Sequence, residues 1–189
     1  NHCSLTINKS SGGRTYISGN RCSRPLGGDK SEHPDMYAMK YRALRNMEGN
    51  GHGSGLCGTV GIPLLLNMYE NLPFWFMLFT TLNFTVVLSD ESSHSLYIKG
   101  QRTIPSDTVC YPAKLSHGHI MSLIDKKVDF IFYPCMPYNF DEKISDNNYN
   151  CPVVAYYPEL LGANIPQLRN IKFFNHYFGL HKPTPFKRR

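Results

Sequence analysis

Residues 59–89, TVGIPLLLNMYENLPFWFMLFTTLNFTVVLS, decide the fold. The short apolar run 60–66 predicts a buried strand, and a loop over 67–71 follows it. Proline suits the first turn of a helix, and residues 73–82 are apolar almost all round, which is typical of a buried helix. The β-branched run 85–89 predicts a second strand. A strand, a helix and a strand in about 30 residues form a βαβ unit of a parallel sheet.

The pattern continues towards the C-terminus. Helices are predicted over 92–100 and 112–127, and further strands over 128–133 and 153–157. This alternation predicts an α/β fold, a Rossmann-like parallel sheet with flanking helices. Such sheets bind ligands beyond the carboxyl ends of their strands. The candidate binding loops therefore follow residues 66, 89, 133 and 157.

Towards the N-terminus, residues 1–26 predict a small cysteine-bearing hairpin. Two short β-like runs flank the turn at Gly12–Gly13, and Cys3 and Cys22 lie near the two ends. A strand–turn–strand unit with cysteines at both ends is typical of a zinc ribbon or a cluster knuckle. A pair of reduced surface thiols fits equally well, and both interpretations stay open.

Residues 27–58 predict a linker. Apolar residues at helical spacing over 36–47 predict one amphipathic helix there, and the glycine-rich run 48–58 predicts a flexible connection. Cys57 lies in that run and receives no role. Three segments result: the hairpin 1–26, the linker 27–58 and the α/β domain 59–189. We also expect the chain to be a piece of a longer polypeptide, with the domain incomplete at its C-terminal end.

Charge is distributed unevenly. Residues 1–58 carry 8 Lys and Arg against 4 Asp and Glu, residues 59–166 carry 6 against 10, and residues 167–189 carry 6 against none. The basic excess therefore belongs to the flanks, where we interpret it as solvated surface and not as a nucleic-acid interface. The longest apolar run, 72–82, is too short to cross a bilayer. We expect a cytoplasmic protein that binds neither nucleic acid nor membrane.

Three cysteines of the α/β domain stand next to prolines. Cys110 and Cys151 come one or two residues before a proline, and Cys135 has a proline on one side and Met136-Pro137 on the other. Proline and the residue before it are restricted to non-helical backbone, so these thiols are expected on rigid loops at element ends. Thiolates in such positions are suitable ligands for zinc, copper(I) or an iron–sulfur cluster. We predict Cys110, Cys135 and Cys151 as metal ligands.

Two further residues of the predicted third helix are candidates for cofactor contact. Lys114 stands near the helix start, where an anion would bind, although an ordinary solvated lysine fits as well. His117 and His119 flank Gly118, but residues two apart face different sides of a helix. We therefore favour one buried and one exposed histidine over a shared zinc site, with His117 retained as the cofactor-binding candidate. No phosphate-binding glycine motif is present, so this chain is not expected to hydrolyse ATP.

At this point the sequence resembles a known family. Five separated blocks carry the resemblance: GIPLLLNMYENLPFWF (61–76), VVLSD (86–90), IPSDTVCYPAKLSHGH (104–119), DFIFYPC (129–135) and NYNCPVV (148–154). They are similar to the domain of acyl-CoA dehydratase activase-related proteins, the large relatives of the 2-hydroxyglutaryl-CoA dehydratase system. NHCSLTI (1–7) and GNRC (19–22) resemble the segment just upstream.

The resemblance implies an oxygen-sensitive [4Fe-4S] protein of anaerobic bacteria. In that system an ATP-hydrolysing activator passes one electron to a dehydratase, which removes water from a 2-hydroxyacyl-CoA. Cys110 and Cys135 resemble the first two cluster-ligating cysteines of the dehydratase subunits, whose third ligand would lie beyond residue 189. Cys151 is an additional cysteine of this domain type.

Two functions follow as expectations. The first is the cluster-bearing part of an activase-related protein in ATP-driven electron transfer, with dehydratase or activator subunits, or further domains of its own chain, as partners, and with acyl-CoA as a candidate ligand. The alternative is a non-catalytic interaction domain that docks those components. The sequence leaves open whether the chain is itself an enzyme and which acyl-CoA is involved.

Overall fold

A computed structural model describes residues 4–19, 34–49 and 55–181. Contacts divide the chain into two compact units, Asn1–Tyr41 and Arg42–Arg189. In the first unit, strands β1 (Thr6–Lys9) and β2 (Thr15–Ser18) pair antiparallel, with Thr6 opposite Ser18. This confirms the predicted hairpin. Cys3 and Cys22, the two cysteines predicted at its ends, lie outside the described residues.

After the hairpin, the described chain continues with five α-helices and four strands. Helix α1 (Met36–Gly49) confirms the linker helix, while residues 50–54 of the predicted flexible connection lie outside the described part of the chain. The remaining elements are β3 (Thr59–Ile62), α2 (Leu66–Thr81), β4 (Thr85–Leu88), α3 (His94–Gly100), α4 (Tyr111–Asp125), β5 (Phe130–Phe132), α5 (Pro152–Asn164) and β6 (Lys172–Phe174).

The four later strands form one parallel sheet in the order β4-β3-β5-β6. Val60 pairs with Phe130 and Gly61 with Ile131, so each pair shares one face of the sheet. On the first face, two side chains of α2 pack against Phe132. The ring centroid of Phe132 lies 4.7 Å from that of Trp75 and 5.0 Å from that of Phe79. This confirms the α/β, Rossmann-like prediction for the larger unit.

Helices α4 and α5 cover the opposite face. A side chain added at Gly61 would meet Leu123 of α4 at 3.1 Å, and one added at Gly162 of α5 would meet the Phe173 ring at 3.5 Å. Gly61 and Phe173 both lie on this second face. Both are in register with the residue between Phe130 and Phe132, and neighbouring residues of a strand face opposite sides of the sheet. The sheet is therefore enclosed on both sides, and its core strands are almost completely buried.

Two predicted elements were wrong. Residues 67–71 are not a loop, because α2 already begins at Leu66 and Pro73 lies inside it. Residues 153–157 are not a strand: they lie in α5, whose first residue is Pro152, and a proline at this position is pre-organised for a helix. The fourth position of the sheet belongs to β6, which the sequence pattern did not indicate.

Helices α3 and α4 approach each other unusually closely. An added Cβ at Gly118 would overlap the backbone carbonyl of Leu96, and one at Gly100 would overlap the backbone of residues 117 and 118. Both clashes involve main-chain atoms, which cannot turn aside as a side chain can. Glycine at both positions is therefore a condition of this helix contact.

We predict that Gly118→Ala lowers the free energy of unfolding by about 3 kcal/mol, because relieving the overlap requires movement of α3 against α4. Urea denaturation followed by circular dichroism measures this change. Gly162→Ala in α5 is the matched control, because its new Cβ meets only the Asn175 amide at 3.2 Å and the Phe173 ring, while alanine gains helix propensity. Equal stability of the two variants would contradict the prediction.

Candidate functional site

Two of the three predicted metal ligands occupy equivalent positions at helix starts. Cys110 is the N-cap of α4 and Cys151 is the N-cap of α5, and each is followed by a proline in the first helical turn. Neither side chain caps its helix by a hydrogen bond, and both thiols are free and exposed. Each of these two thiols therefore lies at the positive end of a helix dipole and makes no capping hydrogen bond.

Cys135, the third, follows β5 and is buried. Its backbone N–H donates to the carbonyl of His176 at 3.0 Å, and its carbonyl accepts from the N–H of Phe178 at 3.0 Å, which extends the pairing beyond β6. Burial raises the pKa of the Cys135 thiol to about 11. This thiol consequently keeps its proton at neutral pH unless a metal displaces it.

Tyr133 lies beside two of the three cysteines, Cys135 and Cys151. Its side chain is fully buried at the end of β5, and its hydroxyl has no hydrogen-bond partner. Its pKa is raised, first by burial and then by the neighbouring Cys135, Tyr157 and Cys151. Tyr157 in turn has a pKa raised to about 12 by burial and by Cys110. Two buried phenols thus stand among the three thiols.

The thiols do not form a closed metal site. No group of three or more His, Cys, Asp and Glu side chains within the described residues is close enough to hold a metal ion. Tyr133 thus lies beside Cys135 and Cys151, and Tyr157 lies beside Cys110, but the three thiols remain apart from one another. Tyr133 and Tyr157 were missed in the sequence; the available signal was a polar tip at the end of the apolar run 128–133.

Both histidines of α4 are buried, which corrects the expectation that one would be exposed. The prediction that they do not share a metal is consistent with their partners, which lie on different sides of the helix. His117 contacts Thr103 and Tyr157, whereas His119 contacts Ser89 and Ser92. Gly118 between them faces α3, where an added Cβ would meet Leu96.

The hydrogen bonds around His117 determine which of its ring nitrogens donates and which accepts. The Thr103 hydroxyl donates to the Gly100 carbonyl at 2.8 Å, so it accepts from Nδ1–H of His117 at 2.7 Å. Nε2 of His117 is then an acceptor and receives the Tyr157 hydroxyl at 3.0 Å. The Tyr157 hydroxyl therefore already donates its hydrogen to His117. Tyr133 is the phenol whose hydroxyl hydrogen is still free to be donated.

Lys114, the other cofactor candidate, is engaged elsewhere. Its ammonium donates to the carbonyl of Asp107 at 2.7 Å, and so fastens the segment before α4. This segment and α5 enclose an open cleft of about 490 Å³ next to the cysteines. The cleft is mainly apolar and is lined by Pro105, Ser106, Val109, Pro152, Val153, Tyr156, Tyr157, Glu159 and Leu160.

His119 holds the end of β4 in place. Its two ring nitrogens bond the hydroxyls of Ser89 at 2.7 Å and Ser92 at 2.9 Å, and the Ser89 hydroxyl accepts from the Leu64 N–H at 2.9 Å. Burial, and then the charge of Arg45, lower its pKa to about 4, against an opposing effect of Asp90. A neutral imidazole that joins two loops has a structural role.

We predict that His119→Gln weakens the pH dependence of stability. The unfolded chain takes up a proton near pH 6.5, whereas folded His119 does so only near pH 4, so the free energy of unfolding falls as pH is lowered through this window. His119 contributes roughly 2–3 kcal/mol to that fall. Urea midpoints at pH 7 and pH 4.5 measure it, and exposed His94→Gln is the control. An unchanged pH dependence in His119→Gln would refute the assignment.

Among the described residues, no helix is long and apolar enough to cross a membrane. A search of curated proteins and a search of solved structures found no match. Residues 59–189 match the family model described as the CoA enzyme activase uncharacterised domain (DUF2229). The matched range is more than half of the chain and contains Cys110, Cys135, Cys151 and both tyrosines. The chain therefore belongs to the activase-related family that this domain defines.

Proposed function

We propose that Cys110, Cys135 and Cys151 hold an iron–sulfur cluster of the [4Fe-4S] type. In this proposal the domain is the cluster-bearing part of an activase-related protein that takes part in ATP-driven one-electron transfer to 2-hydroxyacyl-CoA dehydration or a similar low-potential reduction. The observation that carries the proposal is the buried Tyr133 hydroxyl, which has no partner and lies beside Cys135 and Cys151. An unpaired buried donor costs about 1–3 kcal/mol, and an acceptor bound at this place would offset that cost.

The residues present fit such a group in their chemistry. Three thiols are soft donors of the kind that bind iron–sulfur clusters. Cys110 and Cys151 are each the N-cap of a helix, and the positive end of a helix stabilises an anionic group. Cys110 and Cys151 are exposed, so in this proposal their side chains would have to turn towards Cys135. A fourth donor is required in addition to these three.

Each neighbouring side chain then has a definable task. Tyr133 would be the phenol left with a hydrogen to offer the bound group, since Tyr157 donates to His117. The series Tyr157, His117 and Thr103 ties α5 to α4 and holds the two helix starts next to each other. A bound cluster supplies one-electron redox chemistry whose potential depends on hydrogen bonds to its sulfurs and on exposure.

Cysteine variants test the ligand assignment. We expect that anaerobic reconstitution with iron and sulfide gives a visible and EPR-active cluster in the unaltered chain. Cys110→Ser, Cys135→Ser and Cys151→Ser should each retain less than half of its iron. Cys57→Ser is the matched control, because Cys57 is also a free, exposed thiol of the described chain but stands apart from the site.

The outcomes separate the two candidate functions. Equal iron content in all four variants would overturn the ligand assignment. Absence of iron from the unaltered chain, together with tight binding to dehydratase or activator components in a pull-down, would favour the interaction domain. That alternative is supported by the apolar cleft beside the cysteines and by the exposed rings of Tyr111 and Tyr156 on this side of the domain.

We predict that Tyr133→Phe lowers the reduction potential of the reconstituted cluster without loss of iron. Removal of a hydrogen bond to sulfur disfavours the reduced, more negative state. An EPR-monitored redox titration measures the potential. Tyr111→Phe, which removes an exposed hydroxyl beside Cys110, is the control. A potential identical to that of the unaltered chain would show that Tyr133 does not contact the cluster.

A further inference from the structure

Glu159 of α5 lies in the open cleft beside the cysteines. Among the described residues that line this cleft it alone carries a charge, and its neighbours there are mainly apolar. The residue is exposed, so its carboxylate is not committed to the interior of the domain. Carboxylate oxygens bind iron in proteins, and one further donor is what the proposed cluster site still requires.

The same cleft reaches the starts of both helices that begin at a cysteine. Its wall includes Val109, the residue before Cys110, and Pro152, the residue after Cys151. The cleft therefore extends from Glu159 to the immediate neighbours of two of the three thiols.

The third thiol, that of Cys135, contacts Glu159 itself. The backbone N–H of Glu159 donates to the sulfur of Cys135. Burial is the largest cause of the raised pKa of this thiol; the hydrogen bond from Glu159 lowers that pKa, and the negative charge of the Glu159 carboxylate raises it. A metal binds the thiolate and not the thiol, and its positive charge would remove the repulsion between thiolate and carboxylate.

Tyr177 holds the Glu159 carboxylate. Its hydroxyl donates to that carboxylate, and its backbone forms a parallel bridge with Cys135. A carboxylate has about four acceptor positions on its two oxygens, so one bond from a phenol leaves positions for a metal. Carboxylates that bind metals are commonly oriented by such a hydrogen bond from a neighbouring side chain.

We propose that Glu159 is the fourth ligand of the cluster, through one carboxylate oxygen, and that Tyr177 positions it. This inference rests on the proposed function, because it concerns the same cluster. A carboxylate is a harder ligand than a thiolate, so the iron that it holds is the one most readily released.

Anaerobic reconstitution with iron and sulfide tests this role by iron analysis and EPR. We expect Glu159→Gln to lose about a quarter of its iron, one of the four irons of the cluster, and to show the EPR signal of a three-iron cluster. Glutamine keeps the side-chain length and an oxygen that accepts from Tyr177, but it lacks the negative charge of a ligand. A role confined to the hydrogen bond with Tyr177 would therefore survive this substitution.

Tyr177→Phe tests the positioning role. It should retain the full iron content, but it should release the fourth iron at least twice as fast when ferricyanide is added, because the carboxylate is no longer held. Glu91→Gln, at an exposed glutamate beyond β4, is the matched control and should behave like the unaltered chain in both measurements.

The outcomes distinguish this inference from the proposed function. A complete four-iron cluster in Glu159→Gln, or its loss of all iron, would overturn the role of Glu159 and leave the cysteine assignment standing. Loss of iron in Glu91→Gln to the same extent would do the same, because it would indicate a general charge effect. An unaltered chain that binds no iron would overturn both proposals.

Discussion

The contact between α3 and α4 at Gly118 determines how the larger unit is arranged. Main-chain atoms of the two helices meet there without an intervening side chain, which fixes the rotation of α4 about its axis. His117 then faces Tyr157 of α5, and His119 faces Ser89 at the end of β4. One glycine between two buried imidazoles thus connects α3, α5 and the sheet.

The candidate site follows from this arrangement. With α4 fixed, its N-cap Cys110 stands near Tyr157, and the bond from Tyr157 to His117 holds α5, whose N-cap is Cys151. Tyr133 and Cys135, which follow β5 directly, are buried in the same region. The site therefore combines two exposed thiols on helix starts with a buried thiol and a buried phenol. Polar groups without partners are rare in folded cores, which makes Tyr133 the most informative residue of the domain.

The sequence predicted the fold where local chemistry and tertiary context agree. β-branched runs and turn glycines located the hairpin, β4 and β5, and the alternation of strands and helices indicated the parallel sheet. Prediction failed at Pro73 and at residues 153–157. Pro73 lies at an exposed position inside α2, although proline usually marks a helix start. The pair Val153–Val154 has strand propensity, but Pro152 and the burial of Ala155 and Leu161 favour a helix.

The site was predictable only in part. Cysteines next to prolines indicated loop positions, and two of them are N-caps, as helix-start prolines allow. The roles of Tyr133 and Tyr157 depend on which helices meet across the sheet, and short strands of three or four residues do not encode that in a local pattern.

The central claim is that the three cysteines and Tyr133 surround one iron-containing group. Anomalous diffraction at the iron edge, from crystals of the anaerobically reconstituted chain, tests this most directly. The account predicts a single strong peak among Cys110, Cys135 and Cys151, beside the Tyr133 hydroxyl. A peak elsewhere in the chain, or none in protein that contains stoichiometric iron, would contradict it.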